Sequence, residues 1–382
     1  MTLANRVSHY FTHRLHREVK ELYVATAITD TAAAAMLIFE PIYLYQSLRL
    51  SIPEVMLFFA AVYAWYILVI PLGGKFATHF GFKHALIVSV PFQLLYWACL
   101  FFARDIPLLI FVAPIMYAFS KAFYWPAFGS IVARFANQGQ VGREFSVLMA
   151  IVQVVQILGP LVGGFIAQLH GSGALLVVAG IVYAMAIVPL AMHKENGYKR
   201  PYHFRSTWEL FFTRTKKFFG YLGFGEELLF LTLWPIFIFL AVQGYKNTGL
   251  VVTTASIFSA IITLYIGKRT DGRAKLALLR FGALFTASGW LLRPFLPGAW
   301  GALTSDTAAR VGKNIYYVPL NTVTYERAEA TEVMPYIVFF EQSLSVGKLL
   351  TALLAALLFA VTGSFVLLFF MAALLALLYL LL

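Results

Sequence analysis

The feature that most limits what this chain can become is a succession of long apolar stretches separated by short polar turns. A helix needs about 20 predominantly apolar residues to cross the hydrocarbon core of a bilayer. With no water there, its backbone must satisfy its own hydrogen bonds. Stretches of that length lie at about 21–46, 54–73, 84–103, 107–134, 144–168 and 173–192, and again at about 218–243, 248–267, 276–296, 300–325, 333–360 and 363–382. They use up nearly all of the 382 residues, of which 61% are hydrophobic and 12% charged, so no soluble domain remains. The expectation is an all-α integral membrane protein with twelve transmembrane helices.

The net charge of +12 would suggest nucleic acid in a soluble chain, but its placement gives it another meaning. Of the 29 Lys and Arg, 21 fall in the N-terminal tail and the even-to-odd loops. The opposite loops hold Arg49, Arg104, Lys246 and Arg293, and four more lie inside spans. That alternation obeys the positive-inside rule without a missed span. It predicts both termini on the cytoplasmic side of a plasma (inner) membrane, with a lipid bilayer and no nucleic acid as surroundings. Residues 1–20 mix Arg6, Arg14, Arg17 and Lys20 with Val7, Phe11 and Leu15, which reads as a basic amphipathic segment on the membrane surface. Cys99 stands alone, so no disulfide forms within one chain. A monomer is the expected state.

The longest polar run, His193 to Lys217, falls mid-chain and divides it into a bundle of residues 1–192, a cytoplasmic loop of 193–217 and a bundle of 218–382. The two halves repeat. Gly74-Lys75 recurs as Gly267-Lys268, Lys121 with Tyr124 and Pro126 recurs as Lys313 with Tyr316 and Pro319, and Gln153 six before Gly159 recurs as Glu341 six before Gly347. The offsets are 193, 192 and 188 residues, so the halves read as an internal duplication and two pseudo-symmetric six-helix bundles follow.

Over essentially the whole chain these residues resemble the major facilitator superfamily. The stretch from Gly74 to Leu86 is similar to its loop motif at Gly74, Ala77, Gly81 and Lys83, with Thr78 where the family usually has aspartate. The second copy, beginning at Gly267, keeps an acid as Asp271. In the fifth span Gly159, Pro160, Gly163 and Gly164 resemble the superfamily's antiporter motif, which implies export by a drug/proton antiporter-like branch. Physically, such a segment lets helix backbones approach closely, and its proline removes one backbone hydrogen bond, so close packing and a conformational hinge are both open readings. The resemblance also implies that spans 1, 4, 7 and 10 line a central cavity.

Charges inside the membrane are costly and are rarely kept without a partner or a wet cavity. Asp30 and Glu40 lie in span 1, Lys121 in span 4, Glu226 and Glu227 in span 7, Asp306, Arg310 and Lys313 in span 10, and Glu341 and Lys348 in span 11. At 1.5 Å per residue, Asp30, Glu226 and Glu341 sit roughly 13 Å from the cytoplasmic helix ends, and Lys121 and Lys313 about 20 Å. Each half thus offers an acid and a base, and the symmetric pairs would be Asp30 with Lys121 and Glu226 or Glu227 with Lys313. Asp30, Glu226, Glu227 and Glu341 are the candidate proton-coupling groups, because a carboxylate beside a movable cation can hold or release a proton. Candidate substrate contacts are Lys121, Tyr124, Trp125, Gln153, Arg310, Lys313, Asn314, Tyr317 and Lys348, although aromatic residues at helical spacing also serve simple packing, and salt bridges can merely lock a bundle.

No nucleotide-binding G-x-x-x-x-G-K-[ST] loop, HExxH, paired cysteines or G-x-S-x-G elbow occurs, and no metal or organic cofactor is expected. An enzyme is not expected. These observations predict a secondary active transporter working by alternating access, with protons as coupling ion and a small amphiphilic molecule as substrate, an anionic group being the favoured case and export the favoured direction. Uptake of an organic anion by symport, and a non-transporting sensor or assembly protein on the same fold, are the alternatives.

Overall fold

The computed structural model describes residues 17–135, 141–192, 201–267, 275–296 and 298–382. Asp271 and the polar residues 193–200 lie outside the described residues, as do positions 1–16 of the basic tail.

Uninterrupted apolar sequence with polar punctuation gives helices and turns, and all described regular structure is helical. Among the described residues twelve helical spans follow one another. In the first half they are Arg17–Met36 continued by Phe39–Ile42 and Tyr43–Ser47, then Ile52–Phe80, Phe82–Phe102, Leu109–Phe135, Val141–His170, and Ser172–Ala184 continued by Ile187–Ala191. The second half runs from Thr215–Tyr221 through Leu222–Phe224, Gly225–Leu231 and Leu233–Val242, then Tyr245–Gly267, Lys275–Leu292 with Arg293–Phe295, Gly298–Glu329, Val333–Thr362, and Phe365–Leu377 with Leu378–Leu381. Among the described residues seven of these are long and apolar enough to cross a membrane by length and composition alone. The tenth, 32 residues long, carries Asp306, Arg310 and Lys313 in its interior. The central loop contains a further short helix, Phe204–Thr213, whose Phe211 ring packs on Phe339 at 5.0 Å.

Local chemistry sets the breaks. Ser51 caps the second span: it accepts from the Glu54 amide, and the Glu54 carboxylate accepts from the Ser51 amide at 2.7 Å. Gly81, at φ 111°, makes the tight turn between the second and third spans. The first span is interrupted near Pro41 and continues as a π-turn at Tyr43–Ser47. The seventh is interrupted at Thr232, three residues before Pro235. A proline cannot donate to the preceding turn, so each interruption has the same cause. Pro41 and Pro235 are 194 residues apart, a further trace of the duplication.

The halves meet chiefly where the second span packs on the eleventh and the fifth on the eighth. At the fifth span the Gly-Pro-x-x-Gly-Gly segment acts as the contact surface. A Cβ on Gly159 would lie 2.6 Å from Ala34 Cβ, and one on Gly163 only 2.2 Å from the Ala35 carbonyl. On the other side Gly249 approaches the Pro160 carbonyl, and Gly164 the Tyr245 carbonyl. The segment therefore packs span 5 against span 1 within its half and against span 8 across the seam.

At the loop-bearing end, Thr207 donates to the Pro335 carbonyl at 3.2 Å and Gly74 faces Val338 and Met334. At the far end, Phe39 meets Tyr245 at 5.9 Å, and Leu233–Val242 packs against Phe39–Ile42. The halves touch at both ends.

Candidate functional site

The chain brings its intramembrane charges together at the seam, and the second span supplies the link. Tyr63 and Tyr66 are three residues apart and so share a helix face. Lys121 Nζ lies 5.5 Å from the centre of each ring, 5.1 Å from Tyr117 and 5.8 Å from Trp125. Among the described residues it takes part in no ion pair or hydrogen bond. Lys348 Nζ, from the opposite half, approaches the same Tyr63 ring at 5.4 Å. The Tyr66 hydroxyl donates to Glu341 Oε2 at 3.0 Å. Two tyrosines of one half thus lie between Lys121 and the Lys348 and Glu341 side chains of the other.

In the second half, Glu227 is the hub. Lys313 donates to its Oε1 at 2.7 Å and Lys348 to its Oε2 at 2.9 Å, so one carboxylate ties the seventh, tenth and eleventh spans. Charge-assisted bonds of this length are the strong kind. The adjacent Glu226 points the other way, accepting from Trp290 Nε1 at 2.6 Å and the Tyr316 hydroxyl at 3.3 Å. Asp306 is fully buried, accepting from Trp234 Nε1 at 2.9 Å and from Arg310 Nε at 2.7 Å. The Lys313 amine also lies 5.4 Å from the Tyr317 ring.

Of the two symmetric pairs expected, Glu227 with Lys313 is present and Asp30 with Lys121 is absent. Asp30 lies in electrostatic range of Tyr124 and Glu40 in that of Tyr117, residues on either side of Lys121, and neither acid is bonded to the Lys121 amine among the described residues. Asp30 is also in range of Tyr183 and Tyr317 and joins no ion pair among the described residues. Glu40 is buried beside Tyr96 and Trp97, with Lys121 in electrostatic range.

Several candidates stand outside the cluster. Tyr124 stacks on Phe128, with ring centres 5.6 Å apart, and so packs within its own bundle. Asn314 donates to Ser259 Oγ at 3.1 Å, tying the tenth span to the eighth. Gln153 is half-buried in the fifth span and joins none of the described hydrogen bonds. Arg293, which the sequence places on an outer loop, is instead buried between Trp234 and Trp290. In the loop motif, Lys83 is ion-paired with Glu21 of the first span, while Thr78 turns back to the Gly74 and Lys75 carbonyls at 3.0 Å each. The motif's base has therefore found its acid on another helix. Gly267 ends the eighth span, its equivalent of this turn.

Residues 22–334 match the family model of the Major Facilitator Superfamily. The chain belongs to that superfamily and is a membrane transporter rather than an enzyme. No curated protein sequence matches it. Solved structures of similar fold include the POT family transporter PepTSo, at TM-score 0.72 and 12% identity over 96% of this chain and 97% of that one. Another, described under substrate recognition in proton dependent oligopeptide transporters, gives TM-score 0.71 and 12% identity over 94% and 96%. The nucleoside transporter NupG gives TM-score 0.69 and 11% identity over 94% and 98%. At these identities the likeness is one of fold.

Proposed function

We propose that the protein is a proton-coupled secondary transporter that moves a small amphiphilic molecule with an anionic group by alternating access about the seam. The observation that carries this reading is the Lys121 amine, a mid-membrane cation held by aromatic rings with no carboxylate bonded to it. A lysine so placed has its donors available for an anion, and Tyr63, Tyr66, Tyr117 and Trp125 offer apolar surface around it. Lys348 and Lys313 lie across the seam and already share the Glu227 carboxylate.

Coupling is assigned to Glu227 and Glu341. When Glu227 takes a proton, Lys313 and Lys348 lose their counter-charge and the site gains affinity for an anion; when the anion leaves, the lysines return to the carboxylate. Glu341 bonds to Tyr66, whose ring also touches Lys121, so its protonation is felt at the same place. Asp30 and Glu226 are further proton sites in this scheme. The Gly-Pro-x-x-Gly-Gly surface of the fifth span, by its likeness to the antiporter motif, supports export, with the termini on the cytoplasmic side.

Purified protein in liposomes loaded with a pH dye, challenged with a panel of organic anions, zwitterions and cations, tests this. The expected outcome is proton movement evoked by anionic amphiphiles, opposite in direction to the substrate, and lost in Glu341→Gln. Proton and substrate moving together would replace export by symport. Normal proton-driven flux in both Lys121→Gln and Glu341→Gln would overturn the mechanism.

A further inference from the structure

Arg293 is 2% exposed, and none of its three guanidinium nitrogens has a hydrogen-bond partner among the described residues. Its central carbon lies 3.3 Å from the centre of the Trp290 ring and 3.9 Å from that of Trp234. A guanidinium stays charged in a protein, and burying one without hydrogen bonds is costly even when flat aromatic faces cover it. The indoles are themselves anchored: Trp290 donates to Glu226 and Trp234 to Asp306. An indole that gives its N–H to a carboxylate keeps its electron-rich face for the cation. Of the charged groups around Arg293, Asp306 acts on it most strongly and Glu226 next.

The position of Trp234 is the informative part. Its ring face covers Arg293 while its N–H occupies Asp306 Oδ1, and Arg310 holds the other oxygen, Oδ2. One indole therefore stands between two opposite charges. It belongs to Leu233–Val242, the half of the seventh span beyond the break at Thr232. This half-helix closes the far end against Phe39–Ile42, and Leu240 faces a mouth cleft of about 750 Å³ whose other walls include Tyr45, Arg49, Glu54, Phe359 and Phe365.

We propose that Trp234 is a withdrawable spacer: when Leu233–Val242 swings outward, Arg293 takes the vacated oxygen of Asp306, and that ion pair holds the far end open until the indole returns. Arg293 and Trp234 are then positioning residues of the far gate. The closed form keeps a costly unpaired guanidinium and the open form satisfies it, so the two forms are brought closer in free energy, as a cycling protein needs. The proposal rests on the alternating-access reading but not on the substrate or the coupling ion.

The test reads distance rather than flux. Spin labels are placed at Gln46→Cys and Ala241→Cys, both exposed at the far end, in full-length Cys99→Ser protein in lipid nanodiscs. Removing the spacer with Trp234→Leu is expected to raise the weight of the longer distances about threefold. Adding Arg293→Gln or Asp306→Asn should return the distribution to that of the parent. Trp234→Phe, which keeps the ring face and loses the N–H, should fall between. If Trp234→Leu does not purify as a single species, Arg293→Gln and Asp306→Asn alone must each reduce the longer component. An unchanged distribution in Trp234→Leu, a long component that survives Arg293→Gln, or single variants matching the parent would overturn the proposal. Loss of transport with distances as expected would instead count against the coupling scheme alone.

Discussion

Lys121 and Lys313 occupy equivalent places, 192 residues apart in a duplicated chain, yet their surroundings have diverged. Lys313 donates to Glu227, which also bonds Lys348, so that wall of the site is a closed ion-pair network. Lys121 sits among four aromatic rings and bonds no carboxylate. A duplicated fold has kept the cation in both halves and the bonded acid in one. On the proposed function, the difference separates two jobs that a symmetric site would mix: proton exchange at the bonded pair of one half, and anion binding at the free cation of the other.

The sharpest way to break that division is Glu227→Gln. Removing the acid leaves the buried Lys348 and the half-buried Lys313 uncompensated, which costs about 3–5 kcal/mol. Thermal unfolding in detergent should show it as the largest loss among these variants, and proton-coupled flux should vanish. Lys121→Gln should behave in the opposite way. With no ion pair to lose, it forfeits only cation–π contacts worth about 0.5–2 kcal/mol, so the unfolding midpoint moves little, while anionic substrates bind at least about tenfold more weakly. If Lys121→Gln destabilises as much as Glu227→Gln, Lys121 is structural and the contrast between the halves collapses.

Much of the frame was legible in the sequence because bilayer crossing imposes a length and a composition that need no knowledge of packing. The twelve spans and the pseudo-symmetry of the halves follow from apolar stretches and from offsets such as Gly74 to Gly267. The second-half site was partly legible: one acid and one base per half pairs Lys313 with Glu226 or Glu227, and the fold selects Glu227. The first-half site was not, because Asp30 and Lys121 have the same offset in depth as Glu226 and Lys313, and only packing decides which acid meets its cation. Tyr63 and Tyr66 do not stand out in the sequence because aromatic residues at helical spacing usually just pack, although their three-residue spacing on a span without internal charge is a usable signal. Arg293 lies at a helix end, where most arginines act as topology signals. Only the fold brings Trp234 and Trp290 to its two faces, although Trp97 and Trp290, 193 residues apart, repeat like the other markers.

A smaller effect is expected of Lys348→Gln. Glu227 would keep Lys313 at 2.7 Å, so the carboxylate remains paired, and the loss should be that of one charge-assisted bond, about 1.5–3 kcal/mol. Coupling should persist with a higher proton affinity at Glu227: with one cation fewer beside it, the carboxyl holds its proton more readily, and the pH at which transport is half-maximal should rise. A pH profile that does not move would mean that Lys348 contributes packing alone.

The smallest change that still tests the link across the seam is Tyr66→Phe. It deletes the hydroxyl that donates to Glu341 at 3.0 Å and leaves the ring 5.5 Å from Lys121. The Glu341 side chain is buried, so losing that donor should cost about 1–3 kcal/mol. Because the ring stays in place, the affinity for an anionic substrate should be nearly unchanged, while the number of protons moved per substrate falls or the pH profile shifts. This is the reverse of what Lys121→Gln should do. If Tyr66→Phe weakens substrate binding and spares coupling, Glu341 belongs to the substrate wall, and the separation of roles between the halves must be redrawn with proton exchange confined to Glu227.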